Sequence, residues 1–188
     1  MTAIRLVAGL GNPGIEYQDT RHNAGFWWVD RLASREGASL KIDSRMHGII
    51  GRAGDSWLIK PQTFMNASGR AVSALSRFYK IPPSEILVVH DELDLEPGTV
   101  RLKLGGGLGG HNGLKDISAH LGTQDYWRLR LGIGHPGERS QVSNFVLKPP
   151  SRQEEELILD AIEKSLDAWH LIATGQQQAA MLKLHTKS

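Results

Sequence analysis

Residues 4–25, IRLVAGLGNPGIEYQDTRHNAG, constrain the fold more tightly than any other stretch. Ile4 to Ala8 is apolar apart from Arg5, the pattern of a buried strand. Gly9, Gly11 and Gly14 then bracket Asn12 and Pro13. Glycine reaches positive φ freely and proline cannot continue a strand ladder, so the strand must end in a tight, irregular loop. An apolar helical pattern begins beyond it, with Arg21, His22 and Asn23 just ahead. One amide (Asn12), one guanidinium (Arg21) and one imidazole (His22) therefore sit between a strand end and a helix start. Open α/β sheets bind ligands in loops of this kind, at the carboxyl ends of strands. Taken alone, the loop could equally be a glycine-rich connector with a solvent-facing histidine.

Two later stretches repeat the arrangement. Glu85 to Val89 contains the aliphatic run ILVV, which fits a central strand buried on both faces, and it runs into His90-Asp91-Glu92. KPQTFMNASG places Phe64, Met65 and Asn66 in a loop ahead of an amphipathic helix carrying Val72, Leu75 and Phe78, which Pro82 and Pro83 end.

The rest reads as ordinary strand and helix. The first helix shows Phe26, Val29, Leu32 and Ala33 on one face and stops at Gly37; Trp27 and Trp28 are expected to pack the core, although, being adjacent, at least one faces away from that stripe. Residues 40–43, 46–53 and 57–60 are predicted as short strands, with Gly54-Asp55 as a hairpin turn. TVRLKLG and WRLRLGIG alternate strictly, so Arg101, Lys103, Arg128 and Arg130 would line one exposed face if the two strands are neighbours. Between them, Gly105 to Gly110 holds five glycines, and His111-Asn112 open a helix running to about His120. Backbone amides at such a start attract phosphate or a polarised carbonyl. Residues 135–147 show little periodicity and read as a long loop. Ser151 and Glu154 form a capping box for one helix carrying Leu157, Ile158, Ile162, Leu166, Trp169 and Ile172, stopped by Gly175, with a short last helix over 176–184.

Composition narrows the chemistry. No cysteine is present among 188 residues, which removes disulfides, thiolate metal sites and a cysteine nucleophile. No apolar run approaches the roughly 20 residues that span a bilayer, and no signal segment opens the chain, so cytoplasmic residence is expected. The net charge is only +2, so an anionic partner must meet a local basic patch.

Gly9-x-Gly11-x-x-Gly14 and Gly105-x-Gly107-x-x-Gly110 match the dinucleotide fingerprint in form only. Pro13 delays any helix after the first, and the acidic residue expected after it is misplaced, Asp43 lying too far on. Neither stretch ends in Gly-Lys-Ser/Thr, so a phosphate-binding P-loop is excluded, and no G-x-S-x-G elbow exists. His22, His90, Asp91 and His111 are the candidate metal ligands, but no paired-histidine helix motif is present and no metal is expected. What remains is a histidine, an aspartate and the loop asparagines Asn12, Asn66 and Asn112. A neutral imidazole can take a proton from water, and a carboxylate on its other nitrogen fixes the tautomer. Amides hold carbonyl, ribose or amide groups without adding charge. The set suits direct attack of water on an ester. Asparagine's commonest structural job, capping a helix, is the plainer alternative for Asn66 and Asn112.

GLGNPGIEYQDTRHNAG, PQTFMNASG, HDELDLEPG, KLGGGLGGHNGLKDI and RLRLGIGHPG, in that order, resemble the bacterial-type peptidyl-tRNA hydrolase family. The resemblance implies a monomeric, single-domain α/β fold over residues 1–188, with a mixed twisted β-sheet flanked by helices. It implies hydrolysis of the ester joining a peptide to the 3′-terminal ribose of tRNA, with no cofactor. By the same resemblance His22 matches the base, Asp91 the carboxylate that keeps it basic, and Asn12 the position that tells blocked from unblocked aminoacyl-tRNA. Tyr17, Phe64, Met65, Asn66 and Asn112 match substrate- or tRNA-contacting positions, and Lys103, Arg130 and residues 135–148 match the tRNA-phosphate region. Some relatives carry histidine where this chain has Leu108. His90 and His111 are left either as structural neighbours of the site or as groups that support its residues, His111 the more exposed. A non-catalytic RNA-binding factor on the same fold is the alternative reading, and a nicotinamide-dependent enzyme the more distant one.

Overall fold

The apolar run after Ile4 forms strand β1 (Leu6–Gly9), and its neighbours on both sides are parallel to it: β4 (Ser56–Pro61) and β5 (Ile86–Glu92). The computed structural model describes residues 2–185. Among these residues, β2 (Lys41–Asp43), β3 (Gly48–Ala53), β6 (Val100–Leu104) and β7 (Trp127–Gly132) complete a seven-stranded sheet in the order β2-β3-β4-β1-β5-β7-β6. The central strands are parallel, while β2, β3 and β6 add antiparallel edges. This is the mixed α/β sheet expected from the sequence.

Alternation along β1 and β5 divides the core in two. Val7, Leu87 and Val89 face one layer with helices α1 (Ala24–Glu36), α5 (Arg152–Asp167), α6 (Trp169–Ala173) and α7 (Gln177–His185). Leu6, Ala8, Ile86 and Val88 face the other, with α2 (Ser68–Phe78) and α3 (Asn112–Leu121). Both faces of the parallel strands are covered, which is why they read as unbroken aliphatic runs. Helix α1 sits unusually close to the sheet: a Cβ on Gly25 would strike the Leu10 amide and the Val89 carbonyl, and one on Gly9 would strike the Gly25 carbonyl. That approach holds the His22 turn against the ends of β1 and β5.

Several elements depart from expectation. Strand β5 continues through His90, Asp91 and Glu92 rather than ending before them. The helix expected to run unbroken from the Ser151 capping box ends at Asp167, and α6 restarts at Trp169. The break turns Trp169 inward, edge-on to Trp28 with ring centroids 5.9 Å apart, while Trp28 Nε1 donates to Ser165 Oγ at 2.8 Å. Residues 135–147, expected as loop, contain a helical turn at Arg139–Gln141 and helix α4 (Val142–Val146), too short to give a periodic signal. As the adjacency of the two tryptophans requires, one of them faces outward: Trp27 is only partly buried, packing against the core while its Nε1 donates to the Gln18 carbonyl.

Candidate active site

Loops after β1 and β4 and the last residues of β5 meet at the carboxyl ends of the parallel strands. They enclose a cleft of about 910 Å³ lined by Asn12, Tyr17, His22, Phe64, Met65, Asn66, Asp91, Lys103, Asn112 and Arg130. Every candidate site residue named from the sequence thus lies on one cavity. His90, Leu108, His111 and Val142 to Leu147 contribute further wall.

Asp91 lies at the centre. Its Oδ2 accepts from His22 Nδ1 at 2.8 Å and its Oδ1 from His111 Nε2 at 2.8 Å. The His111 proton is placed by the backbone: its Nδ1 accepts the Gly113 and Leu114 amides at 3.1 and 3.3 Å, as the N-cap of α3, so Nε2 must carry the hydrogen. Asp91 is therefore an acceptor from both rings. With its Nδ1 hydrogen on Asp91, His22 keeps its Nε2 lone pair for the cleft.

Electrostatics follow from that geometry. Burial alone would lower the His22 pKa, but the Asp91 charge and hydrogen bond outweigh it and raise the pKa above the ordinary imidazole value. Burial would raise the Asp91 pKa, yet the two imidazoles hold its carboxyl well below the usual carboxylate range. His90 behaves oppositely. Burial, with the nearby His111, pushes its pKa down to about 4. Its Nδ1 donates to the Asp91 carbonyl at 2.7 Å, and its buried Nε2 has no hydrogen-bond partner among the described residues.

His22, Asp91 and His111 present ligand atoms within 4.8 Å of one another, close enough for one metal ion. Their hydrogen bonding fits this poorly. Coordination would strip the hydrogen from His111 Nε2 and place one on Nδ1, facing two amide donors.

Asn12 is fixed with equal definition. Its Oδ1 accepts the Met65 amide at 2.7 Å, and its backbone exchanges hydrogen bonds with Asn23 at 2.8 and 3.0 Å. The NH2 end of Asn12 is thereby left to the cleft. Tyr17 and Phe64 meet edge-on at its mouth with centroids 6.3 Å apart, Phe64 being 59% exposed. Asn66 and Asn112 are exposed there, and neither caps a helix: α3 is capped by His111, and α2 has no side-chain cap.

The basic face differs from expectation. Strands β6 and β7 do pair, with Arg101 opposite Arg130 and Lys103 opposite Arg128. Arg128, however, is buried and holds the carbonyls of Gly106, Gly107 and Gln124, pinning the glycine-rich loop instead of facing solvent. Arg130 pairs with Glu92 at 2.9 Å, and Lys103 is the outward cation beside the cleft. Repeated glycines leave the loop without side chains to support it, so a buried guanidinium does so.

Comparison with known proteins bears on what this cleft serves. The family model for peptidyl-tRNA hydrolase matches residues 6–188. The chain belongs to the peptidyl-tRNA hydrolase family. A peptidyl-tRNA hydrolase from Nitrosospira multiformis is 63% identical over 188 residues, covering 98% of each chain. One from Thiobacillus denitrificans is also 63% identical, over 97% of this chain and 91% of the relative. A crystal structure of peptidyl-tRNA hydrolase from Acinetobacter baumannii superposes with a TM-score of 0.95 at 48% identity, covering 98% of this chain and 96% of that one. This family member is accordingly an ester hydrolase of translation with a mixed α/β fold. Among its described residues no helix is long and apolar enough to cross a membrane.

Of the two readings the sequence left open for His111, neighbour or support, the structure gives the second, because His111 bonds Asp91 directly. A histidine between a glycine-rich run and a helix start is the signal that would have marked it as an N-cap with one nitrogen to spare.

Proposed function

We propose that this protein hydrolyses the ester between a peptide, or an N-blocked aminoacyl group, and the 3′-terminal ribose of tRNA. It acts on its cytoplasmic substrate as a monomer and without a metal. The carrying observation is the fixed proton arrangement about Asp91, which gives His22 a free Nε2 lone pair and a raised pKa. His22 Nε2 takes a proton from water as the water oxygen bonds to the ester carbonyl carbon. Asp91 stabilises the imidazolium that forms. The bond from carbon to the ribose 3′-oxygen then breaks, and the imidazolium returns its proton to that oxygen. The products are tRNA with a free 3′-hydroxyl and a peptide carboxylic acid, which releases its proton to solvent to become the carboxylate.

Asn12 supplies selectivity. Its available end is a donor, which an N-acyl carbonyl accepts and a free ammonium, itself only a donor, cannot. Tyr17 and Phe64 offer aromatic faces to the substrate, with Met65 in the cleft floor and Asn66 and Asn112 as exposed amides along it. Lys103, Arg130 and residues 135–148 meet RNA phosphate.

The test is release of tRNA from N-acetylated aminoacyl-tRNA and from its free-amine counterpart, with chelator present. Rapid cleavage of the blocked substrate alone is expected. RNA binding without cleavage of either would favour the non-catalytic RNA-binding reading.

A further inference from the structure

Arg21 precedes His22 in the helical turn Arg21–Asn23, yet its side chain points away from the reacting groups. It is nine-tenths buried. Nη1 donates to the Phe145 carbonyl at 2.9 Å and, more weakly, to the Lys148 carbonyl at 3.4 Å. Nη2 donates to Glu154 Oε1 at 3.1 Å, and the guanidinium lies 3.8 Å over the Phe145 ring. Its backbone amide adds a further bond to the Lys148 carbonyl at 3.0 Å.

These partners are not scattered. Phe145 belongs to α4, and Val142, Ser143, Val146 and Leu147 around it form a wall of the cleft. Glu154 is the N3 residue of the α5 capping box, and the oxygen that takes Arg21 also accepts the Ser151 amide at 2.8 Å. One guanidinium therefore joins the turn that carries His22, the wall facing it and the helix start that anchors that wall. Arginine's planar fork meets a carbonyl, a carboxylate and an aromatic face together, whereas the lysine ammonium is a compact point charge with no planar group to lay on the ring. The position is held although Nε is buried with no hydrogen-bond partner among the described residues. An ordinary surface ion pair would not sustain that cost.

We propose that Arg21 is a positioning residue, which sets the 142–148 wall at the distance from His22 that holds the aminoacyl end of the substrate against the imidazole. The role rests on the reaction proposed above. Asp91 and His111 do not contact Arg21, so its loss leaves the ionisation of His22 in place and shows instead in how substrate is held.

The experiment compares wild type with Arg21→Met, Arg21→Lys and Glu154→Gln. It measures kcat and KM per folded molecule on N-acetylated aminoacyl-tRNA, the pH-rate profile, and amide exchange of residues 142–148 without substrate. Glutamine still closes a capping box, so Glu154→Gln keeps the α5 start and removes only the ion pair. Arg21→Met is expected to raise KM about tenfold and to speed exchange of 142–148 at least about tenfold, as for loss of a charge-assisted hydrogen bond. Exchange in β1 and β5 and the acid limb of the profile stay as in wild type. Arg21→Lys and Glu154→Gln move the same quantities less far, and decide the matter if Arg21→Met does not fold. Wild-type KM and 142–148 exchange in both of them would overturn the proposal. So would exchange rising evenly across the sheet with kcat and KM per folded molecule unchanged. Failure of wild type to cleave the substrate would instead strike the proposed reaction, and the exchange result would still decide the tie between turn and wall.

Discussion

His22 Nδ1 and Asp91 Oδ2 meet at 2.8 Å although 69 positions separate them in the chain. The first lies beyond the end of β1 and the second in the last residues of β5, and the parallel pairing of those strands brings the two together. Asp91→Asn keeps the size but offers one acceptor where two N–H donors point. If the amide NH2 faces His22, the imidazole must accept on Nδ1 and carry its hydrogen on Nε2, which removes the base. Turnover should fall on the order of 10³-fold, as for a lost general base. Without the carboxylate charge, burial dominates His22 and lowers its pKa. Since His22 works neutral, the acid limb of the residual activity moves to lower pH. A pH-rate profile of the variant checks both outcomes.

Asn12→Asp separates structure from selectivity. The aspartate still offers an oxygen to the Met65 amide, so the loop is expected to keep its shape, with a melting temperature near wild type. The donor end becomes a second acceptor, which repels an N-acyl carbonyl and favours an ammonium. Preference for blocked over free-amine substrate should fall about tenfold or more, the effect of one hydrogen bond exchanged for a repulsion. Competing the two substrates in one reaction measures the ratio directly.

Among the described residues the Lys103 side chain has no ion-pair or hydrogen-bond partner, whereas Arg130 is partly neutralised by Glu92. Lys103→Ala should therefore weaken substrate binding and reduce the slope of log K against log salt by about one, while leaving kcat nearly unchanged. Binding of tRNA titrated across a range of salt concentrations reads the slope.

How much of this was open to a reader of the sequence depends on what carries each feature. Asn12, His22, Phe64 to Asn66 and Asp91 follow or end parallel strands, and a strand pattern followed by glycine, proline or polar residues marks such positions without any tertiary knowledge. The bond from His111 to Asp91 was not legible, because it depends on an N-cap whose ring spans the space to another strand. Arg128 alternates like an exposed residue, and only the loop folded over it makes it buried. Arg21 likewise takes its partners from residues more than 120 positions away. Helix α4 and the break before Trp169 are set by packing over less than two turns of helix, too short for a periodic pattern to show.

His90 adds a pH dependence separate from catalysis. It is buried and neutral, with a pKa of about 4 against an ordinary 6.5, and His111, Glu92 and Asp91 are the titratable groups around it. In the unfolded chain it takes a proton below pH 6.5, and in the folded chain only below about pH 4. Stability is thus fully present above 6.5 and declines as pH falls toward 4, by up to ~3 kcal/mol from this group. His90→Leu should flatten the wild-type slope of unfolding free energy over that window. Denaturant titrations at several pH values compare the two proteins.

Whether His22 is the base is tested most directly by single-turnover cleavage of N-acetylated aminoacyl-tRNA by wild type and His22→Ala, with tRNA binding measured alongside. The expected result is a loss of at least about 10²-fold in the cleavage rate with binding retained, the scale of a missing general base. Cleavage by His22→Ala at close to the wild-type rate would contradict it and take the proton transfer away from the pair His22 and Asp91.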